Sequence, residues 1–214
     1  MSNIEILKKL NKDRIFTPEE IETIKEYTGS SYELFSLAEI LEQEKNNPFL
    51  SEKRKELERI TRLPASESRI IPKNILTIFR KLIDNSKCFS NVVLYRGTSF
   101  NHFYATNIID NNPNCKELHI EQTFTSLVYQ SSSLSLNTAF EFMTKHNGLI
   151  IEYHIPRGFN ALWVDQISKQ NELEFILKKD SQYIISDIGR IDRKGNITHN
   201  EKPNYISVKT IKKV

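Results

Sequence analysis

The chain has 214 residues, 38% hydrophobic and 27% charged, with 30 Lys and Arg against 27 Asp and Glu for a net charge of +3. That apolar content suffices for one sizeable core and, with both charge signs mixed, excludes a wholly disordered chain. The slight positive balance tolerates an acidic or nucleic-acid partner without calling for one.

The opening "MSNIEILKKLNKDR" lacks the apolar stretch of a signal peptide, and no run approaches the roughly 20 apolar residues of a membrane span. The expectation is a soluble, cytoplasmic protein with no membrane partner. Action outside its own cell would need delivery by another route. Residues 1–90 read as helical. "TPEEIETIKEYTG" offers Thr17 as N-cap, Pro18 at the first helical position, acidic residues in the first turn and Gly29 as a stop. "SYELFSLAEILEQEK", "SEKRKELERITRL" and "IPKNILTIFRKLIDN" carry apolar residues at helical spacing.

From residue 91 the texture changes. "NVVLYRG", "HIEQTFTSLVY", "GLIIEYHIP", "ALWVDQI", "ELEFIL", "SQYIISDIGRI" and "NYISVKTI" are short and rich in β-branched and aromatic residues, with Gly, Pro and Asn between them. "LNTAFEFMTKH" reads as a short helix, and Asn101 to Asn114 as a loop with another. Helices first and strands afterwards predict an α+β fold, one domain over 1–214 with a helical part (1–90) and a β-rich core (91–214).

Cys88 and Cys115 form no CxxC pair, and His102, His119, His146, His154 and His199 show no ligand spacing, so no metal or disulfide framework is expected and the histidines read as surface or packing residues. Three other stretches can carry chemistry. Glu172 and Glu174 in "NELEFIL" would, on a strand, face the same way about 6–7 Å apart. Like charges there repel, so the pair belongs on a solvated face or in a cleft where the two carboxylates divide acid–base and charge-stabilising work. Arg96 ends an apolar strand before Gly97, which suits either a surface ion pair or a phosphate clamp with close backbone approach. The hydroxyls of "TFTSLV" can fix a nearby carboxylate or simply decorate a strand.

The order of these three pieces, Arg, then Thr/Ser, then Glu-x-Glu, resembles the mono-ADP-ribosyltransferase toxins of the arginine–serine–glutamate class, the Rho-modifying clostridial exoenzymes and the catalytic components of actin-modifying binary toxins. "IKEYTGSSY" is similar to their tyrosine-rich helix–turn, "NVVLYRGTS" to their first core strand, "FTSLV" to their Ser-Thr-Ser strand, and "NTAF" to the start of the loop facing phosphate and nicotinamide. "ALWVDQISKQNELEFILKKDSQYIISDI" is similar to their target loop, Glu-x-Glu strand and following strand. The resemblance implies a helical layer before a mixed, mostly antiparallel two-sheet core, with NAD as co-substrate, no metal, and transfer of ADP-ribose to a target protein with release of nicotinamide. It implies Glu174 as catalytic glutamate, Glu172 aligning the acceptor, Arg96 on the NAD phosphates, Gly97 beside the nicotinamide amide, Thr125 and Ser126 bracing the site, and Phe140 stacking on nicotinamide. Trp163, Asp165 and Gln170 would meet the target. Glutamate at position 172 goes, in that family, with arginine acceptors.

Three positions depart from the pattern. Phe124 stands where the family has the first serine, so either Thr123 substitutes through a bulge or the brace on the glutamate is missing. "ELFSLAEILEQ" lacks the family's second NAD-contacting arginine, and "EFMTKH" replaces its Gly-Arg, with Lys145 as a stand-in. Nucleic-acid acceptors, plain NAD hydrolysis and a degenerate binding module are the competing readings. An antitoxin or translocation partner belongs to the same expectation.

Overall fold

The computed structural model describes residues 15–29, 32–64, 71–112, 114–143, 147–164, 167 and 173–211. Thr17 caps helix α1 (Pro18–Thr28) through a reciprocal pair of bonds with Glu20, and Pro18 opens the helix where its missing N–H costs nothing. Gly29 ends it, its N–H bonded to Lys25 O at 3.0 Å. Helices α2 (Tyr32–Glu44), α3 (Ser51–Thr61) and α4 (Lys73–Asp84) complete the helical layer. Its centre is aromatic: Tyr27 stacks on Phe79 with ring centroids 4.5 Å apart, and Phe35 meets both edge-on at 5.3 and 5.2 Å.

The β-rich part runs β1 (Val92–Ser99), α5 (Phe100–Thr106), β2 (Asn107–Ile109), β3 (Thr123–Ser126), β4 (Gln130–Ser133) and α6 (Leu136–Phe142). It continues with β5 (Gly148–Ile155), β6 (Ala161–Trp163), β7 (Glu174–Leu177), β8 (Gln182–Ile191), β9 (Ile197–Thr198) and β10 (Tyr205–Thr210). The strands join in one hydrogen-bonded order, β2-β3-β8-β10-β5-β1-β4-β7-β6, with β9 beside β8. The core is mixed and mostly antiparallel as expected, with β5 and β10 its parallel pair, and its strands form one continuous sheet where two were expected. The sheet is weakest between β1 and β4, which share the single register pair Tyr95↔Ser133. Beyond it the two strands part.

Strand β7 is buried on both faces. Phe175 and Leu177 enter the core formed by the long strands, whereas Ile176 packs with Phe35 and Phe79 of the helical layer. Period-two alternation therefore turns Glu174 toward the helices. The layers are also tied by charge. Glu39 of α2, 0% exposed, takes two bonds from Arg80 of α4 at 2.9 and 3.0 Å, and Lys179 of the β7–β8 turn reaches it at 2.6 Å. A carboxylate so far from water is tolerable because it is paired and hydrogen-bonded. Both cysteines are free, and burial pushes the Cys88 thiol up to about 12. Among the described residues no helix is long and apolar enough to cross a membrane.

Candidate active site

A cavity of about 480 Å³ opens where β1 and β4 part, roofed by the α1–α2 junction. That is the size of a small-molecule site. On β1, the face that buries Val92 and Leu94 in the core carries Arg96 two residues further on, so a guanidinium replaces an aliphatic side chain just as the apolar packing ends. Arg96 is 8% exposed. Its Nη1 donates to the Ser131 carbonyl at 2.6 Å, and its Nη2 donates to the Tyr32 hydroxyl. The guanidinium carbon also lies 5.4 Å from the centre of the Tyr32 ring, within cation–π range.

Glu174, 6% exposed, accepts a hydrogen bond from Ser131 Oγ. The register explains this contact. Ser133 pairs with Glu174, so Ser131 is its diagonal neighbour on the same face of β4. Arg96, Ser131 and Glu174 thus come from three adjacent strands, linked through one serine that offers its carbonyl to the cation and its hydroxyl to the carboxylate. Tyr27 and Ser132 also contribute to the cavity wall, with their hydroxyls buried away from solvent.

The remaining walls mix roles. His102, at the start of α5, is buried, and burial together with the neighbouring Arg96 charge pulls its imidazole down to about 3. Glu33 of α2 is held above the usual carboxylate range by burial. Phe142, 54% exposed, sits at the rim beside Thr138 and Ala139. Arg96 is the one Lys or Arg among the described lining residues. The helix that lacks the family's second arginine contributes Tyr32 and Glu33 instead. Among the described residues no cluster of three His, Cys, Asp or Glu is arranged to hold a metal.

The sequence-derived candidates fall into three groups. Arg96, Gly97 and Glu174 line the cavity together. At Gly97 an added Cβ would sit 1.7 Å from the Ala139 carbonyl oxygen, so glycine there lets α6 lie directly on β1. Thr125, Ser126, Phe140 and Trp163 do not line this cavity. Five strands separate β3, which carries Thr125 and Ser126, from β7. Ser126 spends its hydroxyl in the core, donating to Val128 O at 2.9 Å and accepting from Gln130 Nε2 at 2.7 Å, and Phe124 beside it stacks on Tyr183. Phe140 points into the packing around Ile150, Ile191 and Tyr205 with the Arg193 guanidinium over its ring. Two residues along a helix is about 200°, so Phe142, not Phe140, faces the cavity. Trp163 is buried against Phe175, ring centroids 4.8 Å apart, rather than displayed to a partner.

Glu172, Asp165, Gln170 and Lys145 lie outside the described residues. The alternation argument for a shared Glu172–Glu174 face stops at Leu173, whose φ of 53° is left-handed rather than extended. The brace on Glu174 is the residue the sequence reading missed. "QSSS" is too polar to look like a strand, and its one signal is three consecutive serines between Tyr129 and Leu134.

A helical layer over a split, mostly antiparallel sheet, with arginine, serine and glutamate on adjacent strands, defines the ADP-ribosyltransferase toxin class. A sequence profile of the ADP-ribosyltransferase exoenzyme family matches residues 2–211, and the chain belongs to that family. None of the curated proteins matches in a sequence comparison. Solved structures agree on the fold. An ADP-ribosyltransferase from Clostridium botulinum superposes with a TM-score of 0.58 at 17% identity, over 98% of this chain and 92% of its own. A C3 protein from S. aureus, solved with NAD, gives 0.59 at 16% identity over 100% and 97%. The ADP-ribosylating toxin of a C. perfringens binary enterotoxin gives 0.56 at 17% identity, over 97% of this chain and 45% of its own.

Proposed function

We propose that the protein transfers one ADP-ribose from NAD to an arginine of a target protein and releases nicotinamide. The observation that carries this reading is the linked Arg96–Ser131–Glu174 constellation inside a cavity of small-molecule size. Arg96 has N–H groups to spare beyond its two protein bonds, and these suit the pyrophosphate of NAD. Gly97 stays beside the reacting end through its backbone, and Phe142 takes the stacking place first expected of Phe140.

Glu174 is held by Ser131 so that its carboxylate accepts a ribose hydroxyl and faces the positive charge that grows at the sugar carbon. The carbon–nitrogen bond to nicotinamide breaks, and its electron pair neutralises the pyridinium. A guanidine nitrogen of the target then supplies the pair for the new bond, and Glu172 takes the proton that the guanidinium gives up. Asp165 and Gln170 remain candidates for meeting the target. The degenerate-module alternative rests on a missing brace at Phe124, and Ser131 occupies that role, which leaves the alternative without its main support.

Agmatine, a small guanidine, tests the acceptor assignment. With NAD present the wild type should modify it. Glu172→Ala should lose that transfer by about 100-fold or more while continuing to hydrolyse NAD, and Glu174→Ala should lose both. Equal loss of hydrolysis and transfer in Glu172→Ala would sink the division of labour. Modification of nucleic acid in preference to any guanidine would move the acceptor class.

A further inference from the structure

The contacts around Tyr32 outline a short relay. Arg96 has donors only, so its Nη2 contact makes the Tyr32 oxygen an acceptor. The phenol's own hydrogen must then point elsewhere, and His102 Nε2 lies 3.4 Å away. With the ring proton on Nδ1, that nitrogen is the acceptor of the phenol hydrogen. The two rings lie nearly parallel, 27° apart with centroids separated by 6.1 Å, and His102 is anchored from below because its backbone N–H bonds Ser99 Oγ, the cap of α5, at 3.1 Å.

We propose that His102 is a positioning residue for Arg96: its neutral imidazole holds the Tyr32 hydroxyl turned so that a lone pair faces the guanidinium. The proposal rests on the reading of this cavity as an NAD site. Three elements meet in the relay, β1 through Arg96, α2 through Tyr32 and α5 through His102. The phenol oxygen fixes one arm of the guanidinium and the Ser131 carbonyl fixes the other. What remains of the fork is then aimed into the cavity before any ligand arrives. Burial and the Arg96 charge pull the imidazole down to about 3, so the ring is neutral near pH 7. Without it, the phenol hydrogen turns toward the cavity or toward Arg96 and competes for the same space. A histidine that merely packs would predict none of this, since an apolar ring of similar size would serve equally well.

The test is NAD binding by calorimetry, with NAD hydrolysis kinetics and melting temperatures, for the wild type, Tyr32→Phe, His102→Phe, His102→Gln and the Tyr32→Phe/His102→Phe double variant. His102→Phe should raise the dissociation constant and KM by about 10-fold, with kcat within about 2-fold, as loss of one oriented bond to a charged group implies. Tyr32→Phe should do the same, the double variant should be no worse than either, and His102→Gln, which keeps an acceptor at the Nε2 position, should recover most of the affinity.

Wild-type affinity in His102→Phe, additive losses in the double variant, or failure of His102→Gln to rescue would each overturn the proposal. Should His102→Phe unfold, Tyr32→Phe decides: weakened binding supports the relay, and unchanged binding overturns it. A wild type that ignores NAD at millimolar concentration overturns the NAD reading itself, a result distinct from any of these.

Discussion

At the scale of single residues, the site turns on which serine holds Glu174. Ser131 and Ser126 are both strand serines, yet one touches the carboxylate and the other is consumed by Val128 and Gln130. Their alanine variants should therefore fail differently. Ser131→Ala should reduce turnover about 10- to 100-fold with little loss of stability, because it frees a carboxylate that must be oriented. Ser126→Ala should leave turnover nearly intact and lower stability by about 1–3 kcal/mol, since it strands a buried amide. Matching kinetic losses would restore β3 to the site. The same contrast shows where the sequence was legible. Arg96 and Glu174 stand out through the order of three pieces along the chain, arginine, Thr/Ser strand and Glu-x-Glu, each with an ordinary use when taken alone. Ser131 does not stand out, because Gln-Ser-Ser-Ser has low strand propensity and becomes a strand only between β1 and β7. Phe140 and Phe142 differ by helical phase alone, which a seven-residue helix is too short to reveal.

At the scale of elements, the cavity depends on α6 lying against β1, and Gly97 makes that approach possible. A methyl group there would overlap the Ala139 carbonyl. Gly97→Ala should cost about 2–3 kcal/mol in urea unfolding and should lower activity as well, because the shifted helix carries Thr138 and Phe142. Unchanged stability would mean that the helix yields freely. The helices themselves were readable from caps and spacing: Thr17, Pro18 and Gly29 sit where the sequence places them. The hydrophobic strands were equally readable. What stayed hidden was pairing order, since strand pattern reports faces and not neighbours. Hence one continuous sheet appears where two were expected, and five strands intervene between β3 and β7.

For the whole molecule, the helical layer is more than a cover. It supplies Tyr27, Tyr32 and Glu33 to the cavity and is pinned to the sheet side by Glu39, whose carboxylate draws Arg80 and Lys179 together. Glu39→Ala should destabilise the fold by about 3–5 kcal/mol, because two cations then lose a buried partner. A loss below about 1 kcal/mol would show that the layers hold together through aromatic packing alone. The central claim concerns the cavity as an enzyme, and one gel addresses it. Purified protein is incubated with NAD labelled in the ADP-ribose and with a cell lysate, beside Glu174→Ala. The account predicts a discrete labelled band with the wild type that disappears in the variant, while both proteins melt alike. Equal labelling by the two would contradict it.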